Sequence, residues 1–120
     1  MLPMKLQEVK DILNAKVLTE DACLENEVNS ACGCDLMSDV LAFVKDKALL
    51  LTGLMNPQVV RTAEMMDIST IVFVRGKKPD AALINLAESK DIVLMSTDYP
   101  LYVSCGKLYK NGLIGKGGMS

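Results

Sequence analysis

The chain of 120 residues contains no histidine and no tryptophan, and aromatic residues make up 4% of it. Without imidazole, triad-type nucleophile activation, imidazole proton shuttles and His-ligated metals are excluded. So few aromatics argue against a base-stacking platform for nucleic acid. No apolar run approaches the ~18 residues that a membrane span requires. The segment Met1–Lys10 lacks the basic region and continuous apolar core of a secretory signal. With 13 Lys+Arg against 15 Asp+Glu, the formal net charge is −2, which is no basis for general nucleic-acid binding. Phosphate signatures are missing as well. No Gly-x-Gly-x-x-Gly follows a strand, and Gly115-Lys116-Gly117-Gly118 lacks P-loop spacing, its Ser/Thr and a following helix.

What is present is apolar: half the residues are hydrophobic, with only 4 Pro and 8 Gly, so an ordered single domain is expected. Leu6, Val9, Ile12 and Leu13 recur at helical spacing, and the pattern stops at Asn14. Lys16–Thr19 is a short strand candidate, Asp21–Asn26 an acidic loop, and Glu27–Cys32 an extended segment. Asp35 is placed as the N-cap of a helix that buries Leu36, Val40, Phe43 and Val44. Ala48–Thr52 is a continuous apolar run ended by Gly53, the pattern of a strand covered on both faces. Asn56-Pro57 opens a helix with the stripe Val59, Val60, Ala63 and Met66. Thr70–Val74 is β-branched and aromatic, and Arg75-Gly76 breaks it. Pro79-Asp80 opens a helix burying Leu83, Ile84 and Ala87, and Ile92–Met95 is a further apolar run. Ser96-Thr97-Asp98 is expected to cap a last helix carrying Leu101, Cys105 and Leu108, with Gly112 at its C-terminal end. From residue 48 the order strand–helix repeats three times, which implies right-handed crossovers. The expected fold is a single α/β domain over residues 1–113, with a mainly parallel sheet of four to five strands covered by helices. A Gly-rich flexible tail is expected over residues 114–120.

In open parallel sheets, ligands sit outside the carboxyl ends of the strands. That rule selects Asp35 and Ser38, Thr52-Gly53, Arg75, and Ser96-Thr97-Asp98 as ligand-binding candidates. Arg75 would neutralise an anion, while Ser96, Thr97 and backbone N–H groups would orient it. The plain alternative is that these residues merely cap helices. Asp35 and Asp39, one helical turn apart, read as a cap and a first-turn acid rather than an acid/base pair. Lys77-Lys78 reads as a solvated loop, and the 8 Met residues as core filling. Cys23, Cys32, Cys34 and Cys105 are expected to be reduced thiols. Their spacing matches no two-residue knuckle, and no metal or cofactor is assigned, but Cys32-x-Cys34 before a helix start, where the dipole lowers a thiol pKa, leaves a redox, metal or iron–sulfur role as an alternative.

Gly33-Cys34-Asp35-Leu36-Met37-Ser38-Asp39-Val40, Thr52-Gly53, Asn56-Pro57, Arg75-Gly76-Lys77-Lys78-Pro79-Asp80 and Leu94-Met95-Ser96-Thr97-Asp98 resemble the DRTGG domain family in the same order. The resemblance spans roughly Lys5 to Leu113. One block departs: around Glu25–Gly33, where the family-naming motif falls, Asp-Arg and the double Gly are not present. The resemblance implies an α/β domain similar to the N-terminal domain of HPr kinase. It also implies an accessory module of the kind found beside CBS domains in nucleotide-regulated pyrophosphatases and in long phosphate acetyltransferases, and pairing as a homodimer. Stand-alone members with a similar Cys-Gly-Cys-Asp block resemble proteins of anaerobic bacteria linked to iron-only hydrogenase and electron-transfer genes.

The expected function is therefore a stand-alone, non-catalytic cytoplasmic module that senses a nucleotide or other phosphate-bearing anion at the sheet rim. Its expected partners are a second copy of itself, a nucleotide or small anion, and a partner enzyme, with no nucleic acid and no membrane. An adaptor that docks a partner enzyme without any small ligand is the rival reading. No nucleophile–base pair can be named, so an enzyme ranks last.

Overall fold

The computed structural model describes residues 3–43 and 48–114, with side chains described outside 41–47. Val44, the side chain of Phe43 and the Gly-rich segment 115–120 lie outside the described residues. Strands β4 (Ser30–Gly33), β5 (Ala48–Thr52), β6 (Thr70–Phe73) and β7 (Val93–Ser96) run parallel, and β2 (Lys16–Val17) adds antiparallel beside β7. The order across the sheet is β2-β7-β6-β5-β4. A separate two-stranded ladder pairs β1 (Met4–Lys5) with β3 (Glu27–Val28). The expected α/β architecture with a five-stranded, mainly parallel sheet is thus present.

Side-chain alternation along the strands explains why their sequence reads as unbroken apolar runs. Leu50, Ile71, Phe73 and Leu94 face one core with the buried stripes of α2 (Met37–Phe43), α3 (Pro57–Met65) and α4 (Ala81–Ser89). Leu49, Leu51, Val72, Val74 and Met95 face the other, with Leu6, Val9 and Leu13 of α1 (Leu6–Leu13) and Leu108 of α5 (Leu101–Lys110). Neither face of β5, β6 or β7 meets water, so period-two polarity is absent.

Several expected boundaries shift, each for a local reason. Glu27–Cys32 does not form one strand: it divides at Asn29 between β3 and β4, which belong to different ladders. α2 starts at Met37, not directly after Asp35, because the Asp35 carboxylate turns away to β5 and the Cys34 thiol bonds the backbone of Leu36. The buried face of α2 consequently holds Met37 and Val40, and Leu36 is 58% exposed. Asn56 makes no side-chain cap bond, whereas the Asp80 carboxylate accepts from Leu83 N–H at 2.9 Å as expected. Ser96-Thr97-Asp98 does not cap α5, which starts after Pro100. The intervening backbone is bridged to residues 75–77, through Arg75 N to Tyr99 O at 2.9 Å and Gly76 N to Thr97 O at 2.8 Å. Met4, Met37 and Met95 are buried as core filling requires, but Met65 is 71% exposed.

Phe73 is the largest side chain wholly removed from solvent. Phe73→Ala should lower stability by about 3–5 kcal/mol, since no neighbour can collapse into an aromatic-sized void inside a two-sided core. Urea unfolding should show this as a lower midpoint with an unchanged slope.

Candidate anion site at the sheet rim

Parallel pairing brings the carboxyl ends of β4 to β7 to one rim. The β5 ladder ends at Thr52, whose buried hydroxyl accepts from the Leu54 backbone N–H at 3.1 Å. Asp35, in the β4–α2 connection, meets it: Asp35 Oδ1 accepts from Thr52 Oγ1 at 2.9 Å and from the Gly53 backbone N–H at 2.7 Å. The other oxygen, Oδ2, lies 3.9 Å from Arg75 Nη2. The guanidinium rests against the backbone of Gly53, where any Cβ would collide with Nη2, so this residue must be glycine for Arg75 to lie there.

Arg75 and Gly76 form the centre of a tight turn, with φ of 60° and 69° and a bond from Lys77 N to Val74 O at 3.2 Å. Positive φ at both central positions is the pattern of a type I′ turn. The turn is stitched down by Ser96, whose hydroxyl donates to the Lys77 carbonyl at 2.8 Å. Thr97 is almost fully buried and donates to the Leu13 carbonyl at 2.6 Å, satisfying one of the unpaired carbonyls at the end of α1. Asp98 is exposed, and its Oδ1 lies 3.2 Å from where a Cβ on Gly76 would stand.

The eight candidate residues therefore separate. Asp35, Thr52, Gly53 and Arg75 converge on one point, with Asp98 beside the neighbouring turn. Ser96 and Thr97 direct their hydroxyls to backbone carbonyls and hold the rim together. Ser38 is exposed in the first turn of α2. Lys77, read from the sequence as a solvated loop residue, also acts on Asp35 through its charge. Its only sequence signal was proximity to the Arg75-Gly76 break.

The Gly53 N–H does most to hold the Asp35 carboxyl below the usual carboxylate range. Partial burial opposes this, and the Thr52 hydroxyl, Arg75 and Lys77 reinforce it. The thiols behave differently. Cys105 Sγ lies against the backbone of Gly33, and burial pushes the Cys105 thiol up. Burial, with Cys34, Cys105 and Asp39 nearby, pushes the Cys32 thiol up as well, so the expected lowering by a helix start is overridden. Among the described residues, no group of three or more His, Cys, Asp or Glu side chains is arranged to hold a metal ion. No described helix is long and apolar enough to cross a membrane.

Two concavities lie away from the rim. One is an open groove of about 610 Å³ along the outer side of α5, and another, of about 410 Å³, sits near Thr19, Glu20, Glu88 and Asp91 by the start of β7. Volume alone does not select a site. At the rim a backbone N–H, a hydroxyl and a guanidinium approach one carboxylate, which neither concavity is built to do.

Because the folded Asp35 carboxyl titrates below its unfolded value, its stabilising contribution is complete above ~4 and disappears as pH falls through the folded value. Asp35→Asn should therefore be less stable than the parent at pH 7, and the gap should close on acidification below ~4. Urea unfolding of both proteins across that range measures it.

The model of the DRTGG domain matches residues 8–108. No curated protein matches the chain. Among solved structures, the chain is similar to the CBS and DRTGG domains of the regulatory region of Clostridium perfringens pyrophosphatase, complexed with the activator diadenosine tetraphosphate. The TM-score is 0.69 at 14% identity, covering 97% of this chain and 50% of that one, so this chain spans half the length of that structure. At such identity the likeness is one of fold. The match over most of its length places the chain in the DRTGG domain family.

Proposed function

We propose that the chain is a non-catalytic regulatory module that takes a nucleotide, or another ligand bearing a phosphate group, at the carboxyl rim of its sheet. The observation that carries this reading is the convergence of Thr52 Oγ1, the Gly53 N–H and the Arg75 guanidinium. A backbone N–H, a hydroxyl and a planar cation are the donor types that phosphate oxygens use. The pyrophosphatase regulatory region of similar fold, solved with diadenosine tetraphosphate, is in keeping with this reading. A cytoplasmic location belongs to the same reading. Isothermal titration with ADP, ATP and diadenosine tetraphosphate tests it. Binding should be measurable, and Arg75→Ala should weaken it by about ten-fold or more, the worth of one charge-assisted hydrogen bond. Absence of binding to all three at about 1 mM would end the nucleotide reading.

Pairing of two copies completes the proposal. It is favoured by the outer side of α5, where Tyr102 is 89%, Tyr109 48% and Val103 37% exposed. Gly106 lies on the same helix, and nothing within 4 Å occupies the place of its missing Cβ. A mid-helix glycine costs about 0.5–1 kcal/mol relative to alanine, and closeness of a second backbone is a reason to keep it. Tyr102→Glu should convert a dimer to a monomer in sedimentation equilibrium without lowering the urea midpoint. A parent protein that is monomeric at every concentration would remove this part of the reading.

A further inference from the structure

The donors that make the rim attractive to an anion already hold one. Asp35 Oδ1 takes both the Gly53 N–H and the Thr52 hydroxyl, and its negative charge faces Arg75 and Lys77. A phosphate group entering this point cannot share it, because two anions at one donor set repel each other and compete for the same N–H. We propose that Asp35 is a displaceable latch: a phosphate group binds Thr52, Gly53 and Arg75 by expelling the Asp35 carboxylate from them. This rests on the reading that the rim takes a phosphate-bearing ligand, and it changes the part assigned to Asp35 from ligand contact to internal competitor.

Three features fit a latch better than a permanent strut. First, the ion pair is loose: at 3.9 Å, Asp35 Oδ2 is beyond hydrogen-bond distance of Arg75 Nη2, so the guanidinium's donors are not consumed by it. Second, both side chains are about half exposed, so water and ligand reach them without opening the core. Third, Asp35 lies on the connection between β4 and α2, outside regular structure, where a shift of one carboxylate breaks no ladder. A phosphate has more acceptor oxygens and more charge than a carboxylate, so it can satisfy the three donors together. Asp35 would leave by turning its side chain, because the backbone on either side stays tied, through Cys34 N to Leu51 O at 3.0 Å and Asp39 N to Leu36 O at 3.1 Å.

The test uses the full chain and inorganic phosphate as the probe, by titration calorimetry, with ATP in parallel. Asp35→Ala should bind inorganic phosphate about ten-fold more tightly than the parent, because the competitor is gone. Adding Arg75→Ala to it should abolish the gain. Asp35→Asn keeps the shape and loses the charge, so it should show a smaller gain, and it serves as the comparison if the alanine variant does not fold. Phosphate binding that is unchanged or weaker in these variants overturns the latch, and weaker ATP binding would make Asp35 a ligand contact instead. The two readings fail separately. A parent that binds no nucleotide, with a variant that gains phosphate, removes the function reading and leaves the latch. A parent that binds ATP, with variants that gain nothing, does the reverse.

Discussion

Burial of β5, β6 and β7 on both faces is the constraint from which the remaining structure follows. Every residue of these three strands is buried. Their backbone groups must therefore pair within the ladder, since an unpaired buried N–H or C=O costs about 1–3 kcal/mol. Their side chains must be apolar except where a partner is available. Thr52 and Ser96, at the carboxyl ends of β5 and β7, find such partners. Thr70, at the opposite end of β6, has a buried hydroxyl with no hydrogen-bond partner among the described residues. Polar chemistry is in this way driven to the ends of the strands. Parallel order then collects the carboxyl ends on a single rim.

The rim residues serve two purposes that compete for the same atoms. Ser96 and Thr97 have their hydroxyls directed to the Lys77 and Leu13 carbonyls, which fixes the 75–77 turn to β7 and β7 to α1. Rigidity there is what lets Arg75 lie against Gly53 in a left-handed conformation that is unfavourable by roughly 1–2 kcal/mol. Asp35, Thr52, Gly53 and Arg75 are held differently, by contacts across elements in which the Asp35 and Arg75 side chains are about half exposed and Thr52 is buried. The hydroxyls of the rim are therefore its buried part, and the Asp35 and Arg75 charges its exposed part.

The sequence displayed what depends on local pattern and concealed what depends on distant partners. Ala48–Thr52 was legible to the residue because four consecutive apolar positions, followed by Thr52 and ended by glycine, leave little room for another reading. The end of α1 at Asn14 and the opening of α4 at Asp80 were legible from local pattern too. The start of α2 was not. Asp35 looks like an N-cap, but its carboxylate finds donors on Thr52 and Gly53, 17 and 18 residues away. Ser96-Thr97-Asp98 likewise has the composition of a cap, and only the pairing of its backbone with residues 75–77 shows why the helix waits until Leu101. β1 and β3 have two residues each, too few to carry a period. The rim was legible as a place where strands end, because strand ends follow from strand order. The separation of its eight residues into stitching and cradle needed side-chain directions.

The position of α5 gives the rim a route to the outer surface. Tyr99, whose carbonyl takes the Arg75 N–H, precedes α5 by one residue, Pro100. The Lys107 ammonium of the helix sits 4.9 Å from the centre of the Tyr99 ring, a cation–π contact. The turn that carries Arg75 and the helix that exposes Tyr102 and Tyr109 thus share the segment 97–100. On the proposed function, a charge exchanged at Arg75 and a second copy seated on α5 would both act on that one short connection. Two surfaces that bias the position of one piece of backbone are thereby coupled to each other.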